Sequence, residues 1–584
     1  MPRKKPFSAK QKKKQLQEKR NRKRTDSPRR GHVSRGQRPI EGSSEDVDSD
    51  SDGSSSPVRL SEQPVSAQQL RKGYDPNRFR LQFEKESDAD IAARKKQAMQ
   101  PYEPLPESAL EVDLADIYRP GSVLDMPKRP SWNYNMSREK VEAQEAKMFA
   151  EYLEKIYTTY SVKDLSYFEL NLETWRQLWR VVEMSDIVLL ITDIRHPALH
   201  FSPALYDYII KDLKKHLILV LNKIDLAPPS LVVSWRTYFK EKFPDVQIVC
   251  FTSFPKEGIG TEGDAIKVLN SKKRRRAYTA VGPLQLLAAC EAICHGEVDL
   301  KKWKQKIEAD MKGEDSLASQ VLESSLAEGV DVFKEHEFFK DGILTIGCVG
   351  HPNVGKSSLI NGLCGRKVVS ASRTPGHTKH FQTIFLTPTV KLCDSPGLVF
   401  PSLVDKQLQI LSGIYPIAQV REPYTPVGYL AQRIPLVRIL KITHPDMDDS
   451  PASSSNPQWS AYDICDAWAE KRGFMTAKAS RRDVYRAANN ILRLAVEGKL
   501  CMNMAPVGYH AKKGFWEQHQ ETKEIISMQE QFKELNAGED DQSEFTSSEE
   551  DGGADIESSQ STSDANVGEE RVVTKNKFSL LQDY

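Results

Sequence analysis

Six short apolar runs in the middle of the chain restrict its fold more than any other feature. They are DIVLLITD (186–193), LILVLN (217–222), QIVCFT (247–252), ILTIGCVG (343–350), QTIFL (382–386) and VKLCD (390–394). Nearly continuous runs of this length predict strands buried on both faces of a sheet. Helix-length segments such as PALYDYIIKDLKK and SSLINGLCG separate several of them. Strand and helix in alternation predict an α/β domain with a largely parallel sheet. Ahead of it, VEAQEAKMFAEYLEKIYTTY places Phe149, Leu153 and Ile156 on one helical face, the pattern of a packing helix.

The ends read differently. A head dominated by Lys and Arg (MPRKKPFSAKQKKKQLQEKRNRKRTDSPRR) is followed by EGSSEDVDSDSDGSSSP, and a second acidic, Ser-rich tract spans about 539–570. Such segments bury too little apolar surface to offset the entropy of ordering, so residues 1–75 and 535–584 are expected to be disordered. The net charge of +2 hides this, because basic head and acidic tail cancel. Between them, 130–400 reads as the α/β domain with a polar insertion at about 260–340 that contains a helical stretch, PLQLLAACEAICH, and 401–510 as a mostly helical domain. The eight cysteines form no CxxC pair, which predicts reduced thiols. No apolar run approaches the ~18 residues of a membrane span, so a soluble, intracellular protein without a membrane partner is expected.

Four segments carry chemistry. GHPNVGKSS (350–358) fits G-x-x-x-x-G-K-[ST] between a strand and a helix. Gly350 and Gly355 let the backbone curl, so that amides along Asn353, Val354, Ser357 and Ser358 can face phosphates. Lys356 then reaches the β- and γ-phosphates and Ser357 can ligate Mg²⁺. DSPGL (394–398) follows the strand VKLC. Asp394 is placed to hold Mg²⁺ and the Gly397 amide to sense the γ-phosphate, although D-x-P-G alone is a common turn. Asn222-Lys223-Ile224-Asp225 ends a buried strand. Asp225 can accept hydrogen bonds from guanine N1–H and its exocyclic amino group, a pairing that adenine does not offer. Lys223 can lie along the purine face while Asn222 ties the loop to the phosphate side. FTSF (251–254) ends another strand, where the backbone at Ser253 can meet guanine O6, although Phe254 stands where a small residue is usual.

The order is guanine reader, base-closing segment, phosphate loop, switch. That order predicts a circularly permuted nucleotide-binding domain, an inexpensive rearrangement when chain ends lie close together. On these motifs the chain resembles the circularly permuted GTPases of ribosome assembly, the YlqF/YawG or large-subunit GTPase family. The resemblance covers most of 130–510. DIRHP (193–197) resembles the family signature D-A-R-x-P, with Ile194 in place of Ala, and TPGHTKHFQT (374–383) resembles its first switch. The resemblance implies Thr378 as a Mg²⁺ ligand, with Thr374 the alternative, and a catalytic set of Lys356, Thr378 and Gly397. It also implies GTP and GDP as ligands, and an RNA or ribosomal particle as partner.

Leu398 follows DSPG where many GTPases place a water-orienting Gln, which predicts slow hydrolysis. Asn353 resembles a residue that helps hold potassium in related GTPases; the other reading is a cap of the loop. The basic head, with SKKRRR (271–276), favours nucleic acid and a nuclear import receptor, hence a nuclear and nucleolar location. Ser27 and Ser56, each followed by Pro, are candidate phosphorylation sites. A rival reading is a scaffold or signalling protein that binds GTP without turnover.

Overall fold

The computed structural model describes residues 81–536, apart from 120–121, 134, 257–276, 313–336, 373, 379–380, 447–456 and 477–479. The basic head, both acidic tracts, Ser27, Ser56 and SKKRRR lie outside the described residues. Seven strands form the main sheet: β1 Ile187–Asp193, β2 His216–Asn222, β3 Gln247–Lys256, β4 Ala277–Val281, β5 Leu344–Val349, β6 Gln382–Thr387 and β7 Val390–Asp394. Their order across the sheet is β4-β3-β2-β1-β5-β7-β6. The five inner strands are parallel and the two edge strands antiparallel. The strand leading to the phosphate loop thus lies mid-sheet, between the first strand in sequence and the last. Started at β5 and closed from β7 to β1, the chain would wind the same sheet, which is the permuted arrangement.

Two-sided burial shows in the side chains. Ile187, Leu189 and Ile191 of β1 join one apolar cluster, and Val188 and Leu190 join the other. The strand period of two therefore feeds both cores. Helices α2 (Leu172–Met184) and α3 (Pro229–Lys242) cover one face with Trp175, Trp179 and Trp235. On the opposite face lie α4 (Pro283–Cys294), α5 (Lys301–Lys312) and α6 (Lys356–Cys364), contributing Leu286, Trp303 and Leu359. The helix α1 (Arg138–Thr159) buries Phe149 and Ile156, with Leu153 partly covered.

After the sheet come α7 (Lys406–Leu411), α8 (Tyr424–Arg433), α9 (Ala461–Arg472) and α10 (Val484–Val496). Their inward faces belong to the same apolar cluster as the α2–α3 side of the sheet. Local sequence sets their ends. Ser460 and Asp463 make a reciprocal capping box at the start of α9, and Gly473 closes it in the left-handed region. A final helix, α11 (Gln520–Asn536), packs back on α3 and beside β4.

The structure differs from the sequence reading in three places. The segment read as a polar insertion contains β4 and two core-forming helices, because Leu286, Leu287, Trp303 and Ile307 cover a sheet face. The core reaches back before residue 130, with Phe83, Leu114 and Ile117 buried in it. FTSF does not close its strand: β3 continues to Lys256, and Ser253 pairs with Ala280 of β4. All eight cysteines are free, seven of them buried. Among the described residues no helix is long and apolar enough to cross a membrane.

Candidate nucleotide site

The phosphate loop leaves β5 at the sheet's carboxyl edge and enters α6 at Lys356. The first amides of a helix have no intrahelical acceptor, so Ser357 and Ser358 present donors there. Gly355 sits at φ 101°, and a Cβ on it would lie 2.3 Å from Asn222 Nδ2. The close approach has a purpose: Asn222 Nδ2 donates to the Val354 carbonyl at 2.8 Å, and Lys223 Nζ to the Asn353 carbonyl at 2.7 Å. The guanine-reader segment is thereby fastened to the phosphate loop. Lys356 Nζ donates to the carbonyls of Gly350 and His351 at 3.0 and 2.6 Å. Burial pushes this amine down to about 8, against the opposing pull of Asp394.

Ser357, Thr378 and Asp394 meet. Ser357 Oγ donates to Asp394 Oδ2 at 3.0 Å and lies 3.4 Å from Thr378 Oγ1. Thr374 is exposed, its amide turned to Ser372 Oγ, so of the two threonines the structure brings Thr378 to the cluster. Burial pushes the Asp394 carboxyl up to about 6, partly offset by Lys356 and the Ser357 hydroxyl. Its Oδ1 is buried and has no hydrogen-bond partner. One unpaired carboxylate oxygen beside two hydroxyls is a hard-oxygen set that fits Mg²⁺ with waters and phosphates completing its shell. Gly397 packs directly under the loop, and a Cβ there would fall 2.7 Å from Pro352 Cα. Leu398 is buried, with its amide on the Gly350 carbonyl at 3.3 Å; its side chain is apolar and turned into the core.

On the guanine side, Asp225 Oδ1 accepts from Thr252 Oγ1 at 2.6 Å. Lys223 adopts the left-handed region at φ 61° and also donates to Asp193 Oδ2 at 2.8 Å. Asp193 is held in turn by Arg195 Nε and Nη2 at 3.0 and 2.8 Å. Burial alone would raise the Asp193 carboxyl, but Arg195 and Lys223 hold it well below the usual range. Arg195 Nη1 also donates to the Ala495 carbonyl at 2.7 Å, placing a cation on the C-terminal end of α10. The DIRHP segment thus connects the guanine reader with the helical region. Phe254 meets Phe532 of α11 edge-on, at 4.8 Å between ring centres, which accounts for a large residue at that position.

Sequence reasoning missed Thr252, Gln529 and the structural part of Asp193 and Arg195. Thr252 stands one residue before Ser253, a proximity that points to it. Gln529 carries no local signal, since its partners lie some 300 residues earlier in the chain.

Residues 345–421 match the family model described as 50S ribosome-binding GTPase. The chain is 53% identical over 547 residues to guanine nucleotide-binding protein-like 1 of Homo sapiens, covering 91% of this chain and 90% of that one. It is 33% identical to the Large subunit GTPase 1 homolog of Homo sapiens, covering 66% of this chain and 67% of the relative. Among solved structures, GNP-bound YlqF from T. maritima aligns with a TM-score of 0.29 and 18% identity, over 57% of this chain and 97% of that one.

Proposed function

The chain belongs to the guanine nucleotide-binding protein-like 1 family of GTP-binding GTPases with a permuted domain, and on that premise we propose that it is a slow, GTP-dependent switch in the assembly of the large ribosomal subunit. The observation that carries the reading is the joining of four segments at one sheet edge. The Asn222 and Lys223 bonds to the phosphate loop, and the meeting of Ser357, Thr378 and Asp394, bring guanine reader, phosphate loop and both switches together.

In this reading Asp225, steadied by Thr252, accepts from the guanine edge, and Lys223 lies along the purine. Loop amides from Asn353 to Ser358 and the Lys356 ammonium surround the phosphates. Ser357, Thr378 and Asp394 would hold Mg²⁺, whose charge offsets that of the β- and γ-phosphates. The Gly397 amide, pressed against Pro352, registers the γ-phosphate. Leu398 supplies no group to orient the attacking water, so the basal rate is low and release from the switch state depends on the particle bound. The same leucine favours a second reading, a GTP-binding scaffold that does not turn over.

Purified large-subunit precursor particles separate the two. Stimulated phosphate release supports the switch, and turnover unchanged by any particle supports the scaffold. Crosslinking followed by sequencing of the bound RNA tests the ribonucleoprotein partner directly. The basic head supplies sequence-independent RNA affinity and the nuclear address in this proposal, because its Lys and Arg side chains release counterions from phosphates.

A further inference from the structure

The C-terminal helix α11 carries no nucleotide motif, yet one face of it grips both segments that would recognise guanine. Gln529 is buried, and its Nε2 donates to the carbonyls of Ile224 and Ala227, at 2.6 and 2.9 Å. Those two carbonyls flank Asp225. One helical turn later, Phe532 lies against Phe254, the residue after Ser253. On the same face Ile525 is fully buried, and beside that face Glu524 pairs with Arg236 of α3 at 3.1 Å. Residues 525, 529 and 532 follow the i, i+4, i+7 spacing of a single face.

We propose that α11 is a clamp belonging to the guanine site, in which Gln529 and Phe532 are positioning residues that set Asp225 and the Ser253 backbone at the correct separation for the base. This rests on the GTP-binding reading above and adds to it a specificity element from outside the permuted domain. Physically, the turn Ile224–Leu226 is a single short 3₁₀ turn, and a three-residue turn has little rigidity of its own. A buried side-chain amide that spans both of its ends restricts it. Without that donor the carbonyls of Ile224 and Ala227 lose their bonds to Gln529, and the turn is free to shift, carrying Asp225 with it. The aromatic contact restricts β3 in the same way, one strand over.

The test uses the full chain with Gln529→Met, which keeps length and packing but removes the donor, and with Phe532→Ala. Glu530→Ala, on an exposed position of the same helix, is the control. Affinities are measured for GTP, for ITP, which lacks the exocyclic amino group, and for inorganic tripolyphosphate as a probe of the phosphate loop alone. Gln529→Met and Phe532→Ala are expected to weaken GTP roughly tenfold, to reduce the preference for GTP over ITP, and to leave tripolyphosphate binding unchanged. An unaltered GTP-to-ITP ratio overturns the clamp. Equal losses for all three probes also overturn it, because they signify general damage to the fold. A wild-type chain that binds no GTP instead overturns the GTP-binding reading itself, before any variant is compared.

Discussion

The side-chain amide of Asn353 donates to the Gly413 carbonyl at 2.8 Å, tying the phosphate loop to the turn after α7. Asn353 can reach because Gly413 has no side chain: a Cβ there would come within 3.2 Å of Asn353 Nδ2 and 3.0 Å of Val496 Cγ1. With the Arg195 bonds to the Ala495 and Val496 carbonyls, this attaches the helical region to the nucleotide site through both Asn353 and Arg195, besides the chain connection after DSPGL.

Asn353→Ala is expected to uncouple the two. In the wild type, amide exchange over 399–430 should differ between GTP-analogue and GDP forms, and the variant should show a smaller difference. Potassium should accelerate wild-type hydrolysis relative to sodium, and the variant should lose that preference. A potassium-insensitive wild type would leave Asn353 with the tie to Gly413 as its whole role.

Asp225→Asn exchanges an acceptor for a group that also donates. Hydrogen bonds to a charged partner contribute about 1.5–3 kcal/mol each, so GTP affinity should fall at least about tenfold while xanthine nucleotides gain. Competition binding with GTP, XTP and ATP reads this directly, and equal wild-type affinity for ATP and GTP would refute the guanine assignment.

Asp394 gives a pH signature. Its folded pKa, about 6, lies above the ordinary carboxylate value, so the folded nucleotide-free protein prefers the protonated acid. The stability this confers is complete below about pH 4 and is lost as pH rises through 6. Asp394→Asn should therefore stabilise the nucleotide-free protein at pH 7.5 by an amount on the order of 2–3 kcal/mol, seen as a higher melting temperature, and by about half as much at pH 5. The same variant should bind Mg²⁺-GTP more weakly. Melting curves at the two pH values test the first claim and titration the second.

Arg195→Met removes the main partner of a fully buried carboxylate. Breaking a buried pair costs about 3–5 kcal/mol; Lys223 stays on Asp193 Oδ2, which puts the expected loss at the low end of that range, and the Ala495 carbonyl loses its side-chain donor. Chemical denaturation should show a loss of that size. Pairing Arg195→Met with Asp193→Leu should recover part of it, since the stranded charge is then gone.

On the proposed role of the basic head in RNA binding and nucleolar location, deleting residues 1–38 should flatten the salt dependence of RNA binding and disperse the protein from nucleoli, with GTP affinity unchanged. Binding measured from low to moderate salt, together with imaging of the tagged truncation, checks both. A truncation that kept slope and location would remove the arm from the proposal.

What the sequence made legible follows how local each signal is. The inner strands announced themselves because burial on both faces demands unbroken apolar runs, and β1 shows why, sending alternate residues into two cores. The phosphate loop and the NKID segment were readable because their chemistry lies in consecutive residues. β4 was not: AYTAV is a short edge strand whose pairing with β3 is decided by what lies beside it. Asp193 and Arg195 were visible as a signature, but their work depends on Lys223 and Ala495, far along the chain. Gln529 is the extreme case, an unremarkable glutamine until the fold sets it against Ile224 and Ala227.

The mid-sheet position of β5 also imposes a timetable on synthesis. β1, β2 and β3 leave the ribosome first, and with them Asp193, Asn222, Lys223 and Asp225. The strand that must pair with β1, and the loop that follows it, emerge more than a hundred residues later. At translation rates of about 5–20 residues per second, the interval between Asp225 and Leu344 lasts roughly 6–24 s. During it the exposed edge of β1 has no partner, and the nascent chain has half a nucleotide site. The phosphate loop reaches the guanine-reader segment only when β5 slots in beside β1, and the α11 face that grips that segment is the last of these parts to be made.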